Sequence, residues 1–302
     1  MIKKIVALLL ITLLLTGCSL PAEYAPATTA PTRTPSDGDL APLNVHFIDV
    51  GQADCALLEC DGEYALIDAG NRADGDMVVE YLTEEGVDRL SLVVGTHPHE
   101  DHIGGMPDVL AAFPVDTVWF SHYPYTNSIV DNFLHWVKLR GVPLTQPKVK
   151  DVFQLGDATI RVLGPVKTDY EDVNDLSLVL RIDHGDRSFL FTGDMERIAE
   201  IDLIESGANV DVDVLKVGHH GSYSSTSYRF LREVMPTYAV ISVGRDNDYG
   251  HPHADPLSRL RDADVTIYRT DEMRTIVATS DGTNITFSWE DQSAEPWIPA
   301  AA

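Results

Sequence analysis

The chain has 302 residues, 44% of them hydrophobic, which is enough apolar material for one large or two small packed domains. Lys and Arg number 22 against 47 Asp and Glu, a formal charge of −25. Such an excess repels polyanions at long range and argues against an extended basic nucleic-acid groove, although a local phosphate contact survives wherever metal ions supply the positive charge.

Met1 to Gly17 reads as a signal peptide. Lys3 and Lys4 give a basic start, and Ile5 to Leu15 is an apolar run too short for a comfortable membrane span. Leu15-Thr16-Gly17-Cys18 resembles a bacterial lipobox, which implies cleavage before Cys18, lipidation of that cysteine and an extracytoplasmic protein lipid-anchored to the bacterial cell membrane. Residues 18–42 form a linker: Pro21, Pro26, Pro31, Pro35 and Pro42 stand among Ala and Thr with no apolar period. Residues 43–302 are then a single domain.

From Leu43 onward short strands begin. Leu43 to Asp49, Ala56 to Glu59 and Tyr64 to Ile67 are strands, the last two joined across Asp61-Gly62, a hairpin signal. Cys55 and Cys60 stand five apart on one strand, on opposite faces, so they cannot easily pair and read as small core residues. Met77 to Glu85 has helical spacing, Leu92 to Val94 is a buried strand, and Met106 to Phe113 a helix after the turn at Gly104-Gly105. Val115 to Phe120 is a strand and Ile129 to Leu139 an amphipathic helix. In the second half Ala158 to Leu163, Leu176 to Ile182 and Ser188 to Phe191 are strands, followed by a helix over Met195 to Glu205. Strands over Asp213 to Val217, Tyr238 to Val243 and Ile267 to Thr270 alternate with helices over Ser227 to Met235 and Pro256 to Asp262, and two strands around Asp281-Gly282 finish the chain. The two halves suggest two sheets face to face with helices outside.

The chemistry concentrates at strand ends. His97, His99, Asp101 and His102 fall within six residues after the Leu92–Val94 strand, and Asp194 and His219 follow two others. Imidazole and carboxylate together suit zinc, iron or manganese. The spacing, a pair at i and i+2 and another at i+4 and i+5, points two ligands one way and two another, which suits two adjacent metals. Loops aimed from a rigid sheet converge on one rim.

These residues carry a family resemblance. His97 to His102 resembles the H-x-H-x-D-H signature of the metallo-β-lactamase fold superfamily. The segments Phe47 to Gln52, Leu66 to Gly70, Ser177 to Leu180, Phe191 to Asp194, Asp213 to Ser222 and Tyr249 to Pro252 resemble, in order, the hydrolase domain of ComEC-type DNA-uptake proteins. The multi-helix membrane channel of those proteins is not in this sequence. The resemblance implies an α/β fold, an αββα four-layer sandwich, holding two divalent metal ions, zinc ahead of manganese. By it His97 and His99 hold the first metal, Asp101 and His102 the second, Asp194 bridges them and His219 completes the second site. His219 is preferred to His220 because it comes first after its strand, which leaves His220 supporting the ligands. Asn174-Asp175 stands where most of the superfamily has a third histidine for the first metal, so that Asp175 or a water fills the position.

Two such cations lower the pKa of a shared water toward neutrality and offset charge developing on the scissile group. Asp101 orients or deprotonates that water. Asp49 and Asp68 are candidate acceptors for histidine N–H groups, while Lys216, Ser222 and His251 bind substrate or protonate the leaving group. The expected activity is that of a metal-dependent extracytoplasmic phosphodiesterase or nuclease. A lactam, ester or thioester hydrolase on the same fold, and a non-catalytic metal-binding lipoprotein, are the alternatives.

Overall fold

The computed structural model describes residues 40–123 and 127–299. The signal peptide, Cys18 and most of the predicted linker lie outside them. In the first half, strands β1 (Leu43–Phe47), β2 (Cys55–Cys60) and β3 (Glu63–Ala69) form an antiparallel meander. The β2–β3 hairpin turns on Asp61 and Gly62, both at positive φ (55° and 73°), as a two-residue loop between right-twisted strands requires. The chain then winds through helix α1 (Gly75–Glu84) to β4 (Leu92–Gly95), through α2 (Glu100–Ile103) and α3 (Met106–Ala112) to β5 (Val118–Phe120), and through α4 (Ser128–Arg140) to β6 (Leu144–Thr145). Strands β3 to β6 are parallel, so their crossover helices cover one face. Asn127 caps α4 by accepting from the Ile129 and Val130 amides, and Gly141 closes it in the left-handed region.

The second half repeats the plan. Strands β7 (Val152–Leu155), β8 (Ala158–Gly164), β9 (Val179–His184) and β10 (Arg187–Phe191) are antiparallel. Helices α5 (Arg197–Glu205), α6 (Tyr228–Val234) and α7 (Ala254–Asp262) then link β10 in parallel to β11 (Val214–Lys216), β12 (Tyr238–Ile241) and β13 (Thr266–Arg269). After the short α8 (Thr270–Met273), β14 (Ile276–Ser280) and β15 (Ile285–Trp289) return to the first sheet, β14 pairing with β1. The sheets run β15-β14-β1-β2-β3-β4-β5-β6 and β13-β12-β11-β10-β9-β8-β7.

Period-two alternation divides the apolar side chains into three layers. Between the sheets, Val45, Phe47, Leu58 and Ile67 meet Ile160, Leu180, Phe189 and Phe191, with the Phe47 and Phe191 rings stacked 5.7 Å apart. Outside the first sheet, Leu57, Leu66 and Val93 pack on Val78, Leu82, Val109 and Phe133 of the helices. Outside the second, Leu190, Leu215 and Ala239 pack on Leu203, Phe230 and Leu260. This is the expected αββα sandwich. Cys55 belongs to the helix-facing layer and Cys60 to the layer between the sheets, and both are unpaired, as their odd spacing predicted.

Two local expectations change. Leu176 to Leu178 are not strand: a single 3₁₀ turn covers Asn174–Leu176, and the Leu178 amide donates to the Thr96 carbonyl of the other sheet at 2.9 Å. That bond ties the sheets together beside the histidine run. The linker's last residues are fixed to the fold, since the Ala41 amide donates to Asp157 and its carbonyl lies 2.9 Å from His184 Nε2. Gly104 and Gly105 form the expected turn between α2 and α3, both with right-handed helical φ (−62° and −83°). They are required for space. A Cβ on Gly105 would lie 2.2 Å from the Ala69 carbonyl oxygen, and one on Gly104 2.3 Å from the Arg72 nitrogen. Each of Gly104→Ala and Gly105→Ala is therefore expected to cost about 1–3 kcal/mol, through overpacking against backbone that cannot yield. Urea unfolding of the two variants checks this, and an unchanged midpoint would contradict the close approach.

Candidate metal centre

Six segments end at one rim: the loop after β1, the end of β3, the β4–α2 segment, and the ends of β10, β11 and β12. The short helix α2 begins at His99, which takes the extended N-cap conformation, so His97 and His99 precede the helix while Asp101 and His102 lie within it. The carbonyl of Asp101 accepts from the Asp54 amide at 3.0 Å, which ties this helix to the loop after β1.

Asp194 is the common member. Buried at the end of β10, it has its amide held by Ser177 Oγ at 3.0 Å. One set of donors comprises Asp101, His102, Asp194 and His220, and another His97, His99 and Asp194. In the first, His102 Nε2 lies 3.3 Å from Asp194 Oδ1, and His220 Nε2 lies 3.1 Å from Asp101 Oδ2 and 3.7 Å from Asp194 Oδ2. In the second, His97 Nε2 is 3.0 Å from His99 Nδ1 and 3.7 Å from Asp194 Oδ2.

The far nitrogens fix the imidazoles. His102 donates from Nδ1 to Asp68 Oδ2 at 2.7 Å, and Asp68 also accepts from the Thr96 amide (2.8 Å) and hydroxyl (2.7 Å). Asp68 takes φ of 59°, a left-handed conformation that aspartate tolerates better than most residues. His220 Nδ1 lies 3.1 Å from the Ser242 carbonyl and 3.2 Å from Asp54 Oδ1. Each ring thus turns its Nε2 lone pair toward the acidic centre, an arrangement of the kind that supports metal-binding histidines. His102 Nε2 and Asp194 Oδ1, both buried, have no hydrogen-bond partner among the described residues although they face each other. Bonds of about 2.0–2.1 Å in a tetrahedral site place donors about 3.3 Å apart. Donor type, spacing and these partnerless atoms all fit a divalent cation.

The electrostatics agree. Burial opposes the charged form of His102, yet Asp194, Asp68 and Asp101 hold its pKa well above the ordinary value. Burial likewise opposes charge on His220, and Asp194 and Asp54 raise it to about 10. Asp194 is held well below the carboxylate range, against its burial, chiefly by His102 and His220. This spot attracts positive charge, which imidazolium or a metal ion can satisfy.

Several expected roles change. His219 belongs to neither donor set. Its Nε2 lies 3.7 Å from Asp194 Oδ2, as does that of His220, but its side chain is 23% exposed against 2% for His220 and its Nδ1 lies 3.1 Å from Glu196 Oε1. Consecutive left-handed φ values of 51° and 52° place the more exposed His219 at the rim and the buried His220 inward. Asp175 belongs to neither donor set: its Oδ1 accepts from the Glu196 and Ala199 amides at the start of α5. Lys216 is buried and bound to Asp54 at 2.8 Å, so it cannot receive substrate. Ser222 is buried against Ser224. Asp49 pairs with Arg274 at 3.1 Å and accepts from the Gly51 amide rather than from a histidine.

His251 does line the cleft above Asp101 and Asp194, a space of about 360 Å³. The Gly244 amide donates to Gln52 Oε1, which leaves Gln52 Nε2 as the donor to His251 Nδ1 at 3.2 Å. His251 is therefore neutral with its proton on Nε2, and burial, then His220 and His253, lower its pKa to about 4. It offers an N–H, not an acid. Sequence reasoning missed Asp54, Gln52 and Glu196. A lone carboxylate between Ala53 and Cys55, and a lone lysine in an apolar strand, were the signals for the Asp54–Lys216 pair.

Comparison with known proteins identifies the family and the fold. The sequence model of the Metallo-beta-lactamase superfamily matches residues 48–245. The chain is 32% identical over 250 residues to ComE operon protein 3 of Bacillus subtilis, covering 77% of this chain and 32% of that protein. It is 32% identical to Recombination protein 2 of Haemophilus influenzae (72% of this chain, 26% of that protein) and 31% identical to Competence protein ComA of Neisseria gonorrhoeae (74% and 30%). The chain thus spans about a third or less of these relatives. Among solved structures, the metallo-beta-lactamase fold protein YhfI from Bacillus subtilis superposes with a TM-score of 0.53 at 13% identity, covering 82% of this chain and all of that one. CmlA, a diiron beta-hydroxylase from Streptomyces venezuelae, gives 0.50 at 17% identity, covering 75% of this chain and 52% of that one. On the donor-bearing strand ends, the four-layer sandwich and the match over residues 48–245, the chain belongs to the metallo-beta-lactamase superfamily of hydrolases.

Proposed function

We propose that this chain is a two-metal phosphodiesterase acting outside the cytoplasm on single-stranded nucleic acid or a similar phosphodiester. His97, His99 and Asp194 would hold one ion, and Asp101, His102, Asp194 and His220 the other. The carrying observation is the buried, partnerless His102 Nε2–Asp194 Oδ1 pair at the junction of the two sets. A bound metal pair, zinc ahead of manganese, supplies Lewis acidity and lowers the pKa of water. The chain's residues do the rest. Asp68 and the Ser242 carbonyl lock the two buried imidazoles. Gln52 holds His251 as a neutral donor on the cleft wall. Glu196 anchors His219 at the rim. Asp101 sits among the donors with His102, Asp194 and His220, which favours a binding role over that of a free base.

Two further facts support the substrate and the location. Two of the relatives are named for recombination and competence, Recombination protein 2 and Competence protein ComA, and recombination acts on nucleic acid. The proposed attachment is lipid on Cys18, on the strength of the lipobox-like Leu15-Thr16-Gly17-Cys18.

Metal analysis of the purified protein, with turnover of bis(4-nitrophenyl) phosphate and labelled single-stranded DNA before and after chelation, tests the reading. The expected result is metal content near two per chain and hydrolysis that chelation removes and zinc or manganese restores. Turnover of a chromogenic lactam or a thioester with neither phosphodiester cleaved would move the function to another bond. Metal binding without any turnover would make the chain a metal-holding lipoprotein.

A further inference from the structure

Beside the donor sets, the cleft has a wall with no assigned task. Tyr249 is 68% exposed. Its ring stacks on His251, centroids 5.6 Å apart and planes 22° apart, and His251 in turn lies nearly parallel to His220 at 6.3 Å. Tyr249, His251 and His220 all line the cleft that Asp101 and Asp194 floor. A step of aromatic faces therefore leads from the open mouth to the acidic centre.

The step is rigid by construction. Asn247 Oδ1 accepts from the Tyr249 amide (3.1 Å) and the His251 amide (3.0 Å). Its Nδ2 donates to the Gly244 carbonyl (2.8 Å) and the His251 carbonyl (2.6 Å). Gln52 clamps the His251 ring from the loop after β1, and His253 packs edge-on against its other side at 4.7 Å. An exposed tyrosine on a loose loop would be unremarkable surface. One whose loop is held by four bonds from a single asparagine has its ordering entropy already spent, which is what a docking face requires.

Charge narrows what docks there. Among the residues lining this cleft there is no Lys or Arg, while Glu100 and Asp101 are present. Protein cations cannot grip a phosphate backbone at this mouth, so counterion release contributes little. Beyond a phosphate contact at the metal centre, stacking on a π-face is the source of affinity this wall offers, and it tolerates any base. A paired base has its faces covered by its neighbours and cannot use it.

We propose that Tyr249, backed by His251, is a stacking shelf for an unpaired nucleobase adjoining the scissile phosphodiester. This makes the cleft selective for base-bearing single strands over bare phosphodiester backbones. The inference rests on the phosphodiesterase reading, and its test separates the two. The metal-loaded protein would be given a thymidine oligonucleotide and a strand of equal length made of abasic phosphodiesters. Tyr249→Ala is expected to lower the ratio of kcat/KM for the base-bearing over the abasic strand by roughly tenfold or more, the cost of losing one stacked base. Tyr249→Phe, which keeps the ring, is expected to hold the ratio. A ratio unmoved by Tyr249→Ala overturns the shelf and leaves the hydrolase standing. If neither strand is cleaved, the phosphodiesterase reading fails, and fluorescence anisotropy of both labelled strands still decides the shelf. Binding of the thymidine strand weakened by Tyr249→Ala with that of the abasic strand unmoved supports it, and equal effects on the two overturn it.

Discussion

Asp194→Asn is expected to lower kcat/KM by about 10³-fold or more and to leave the protein unable to retain two metals. The magnitude follows from losing the several kcal/mol of charge stabilisation that a metal pair provides. Asp194 is the one residue common to both donor sets, with its two oxygens 3.3 to 3.7 Å from the Nε2 atoms of His97, His102 and His220. An amide keeps the shape and removes the charge that draws cations in. Metal analysis of the variant and steady-state turnover check this, with far-ultraviolet circular dichroism reporting that the sandwich persists. A variant that keeps both metals and full turnover would show that Asp194 does not join the two sets.

Lys216→Met is expected to destabilise the fold by about 3–5 kcal/mol, the usual cost of leaving one member of a buried ion pair alone. Lys216 Nζ donates to Asp54 Oδ2 at 2.8 Å and to the Val217 carbonyl at 3.1 Å, and both side chains are buried. Burial pushes the Asp54 carboxyl up, but Lys216 and then His220 pull it below the ordinary range. Without the lysine that burial is uncompensated. Adding Asp54→Asn removes the stranded charge, so the double variant should regain most of the lost stability in urea unfolding, as a coupled pair must. It should not regain metal affinity, because His220 would lack its carboxylate neighbour, a loss of about 10- to 100-fold. Equal instability of the single and double variants would show that the two residues are not coupled.

Much of this was legible from residues alone. The strands at Leu43, Ala158, Ser188 and Tyr238 announce themselves by apolar runs between turn residues, and the Asp61-Gly62 hairpin falls where its chemistry places it. The run His97-x-His99-x-Asp101-His102 was recognisable because donors that serve one centre lie close together in sequence. The short strands β6 and β7 escaped notice. Each ends a sheet and is partly exposed, so neither carries a strong apolar pattern.

Sequence by itself determined the face-to-face sheets and the donor run from His97 to His102, since both follow from side-chain type and period. The tertiary structure alone decided which donors meet. His219 and His220 are identical in chemistry, and only backbone turned left-handed at both positions sends one inward. Asp54 and Lys216 lie 162 residues apart and find each other only when the loop after β1 meets β11. Gly104 and Gly105 read as a turn and form one, but only the neighbouring backbone shows that there is no room for a Cβ. In each case the deciding quantity is a distance between segments remote in the chain, or a local dihedral that such packing imposes.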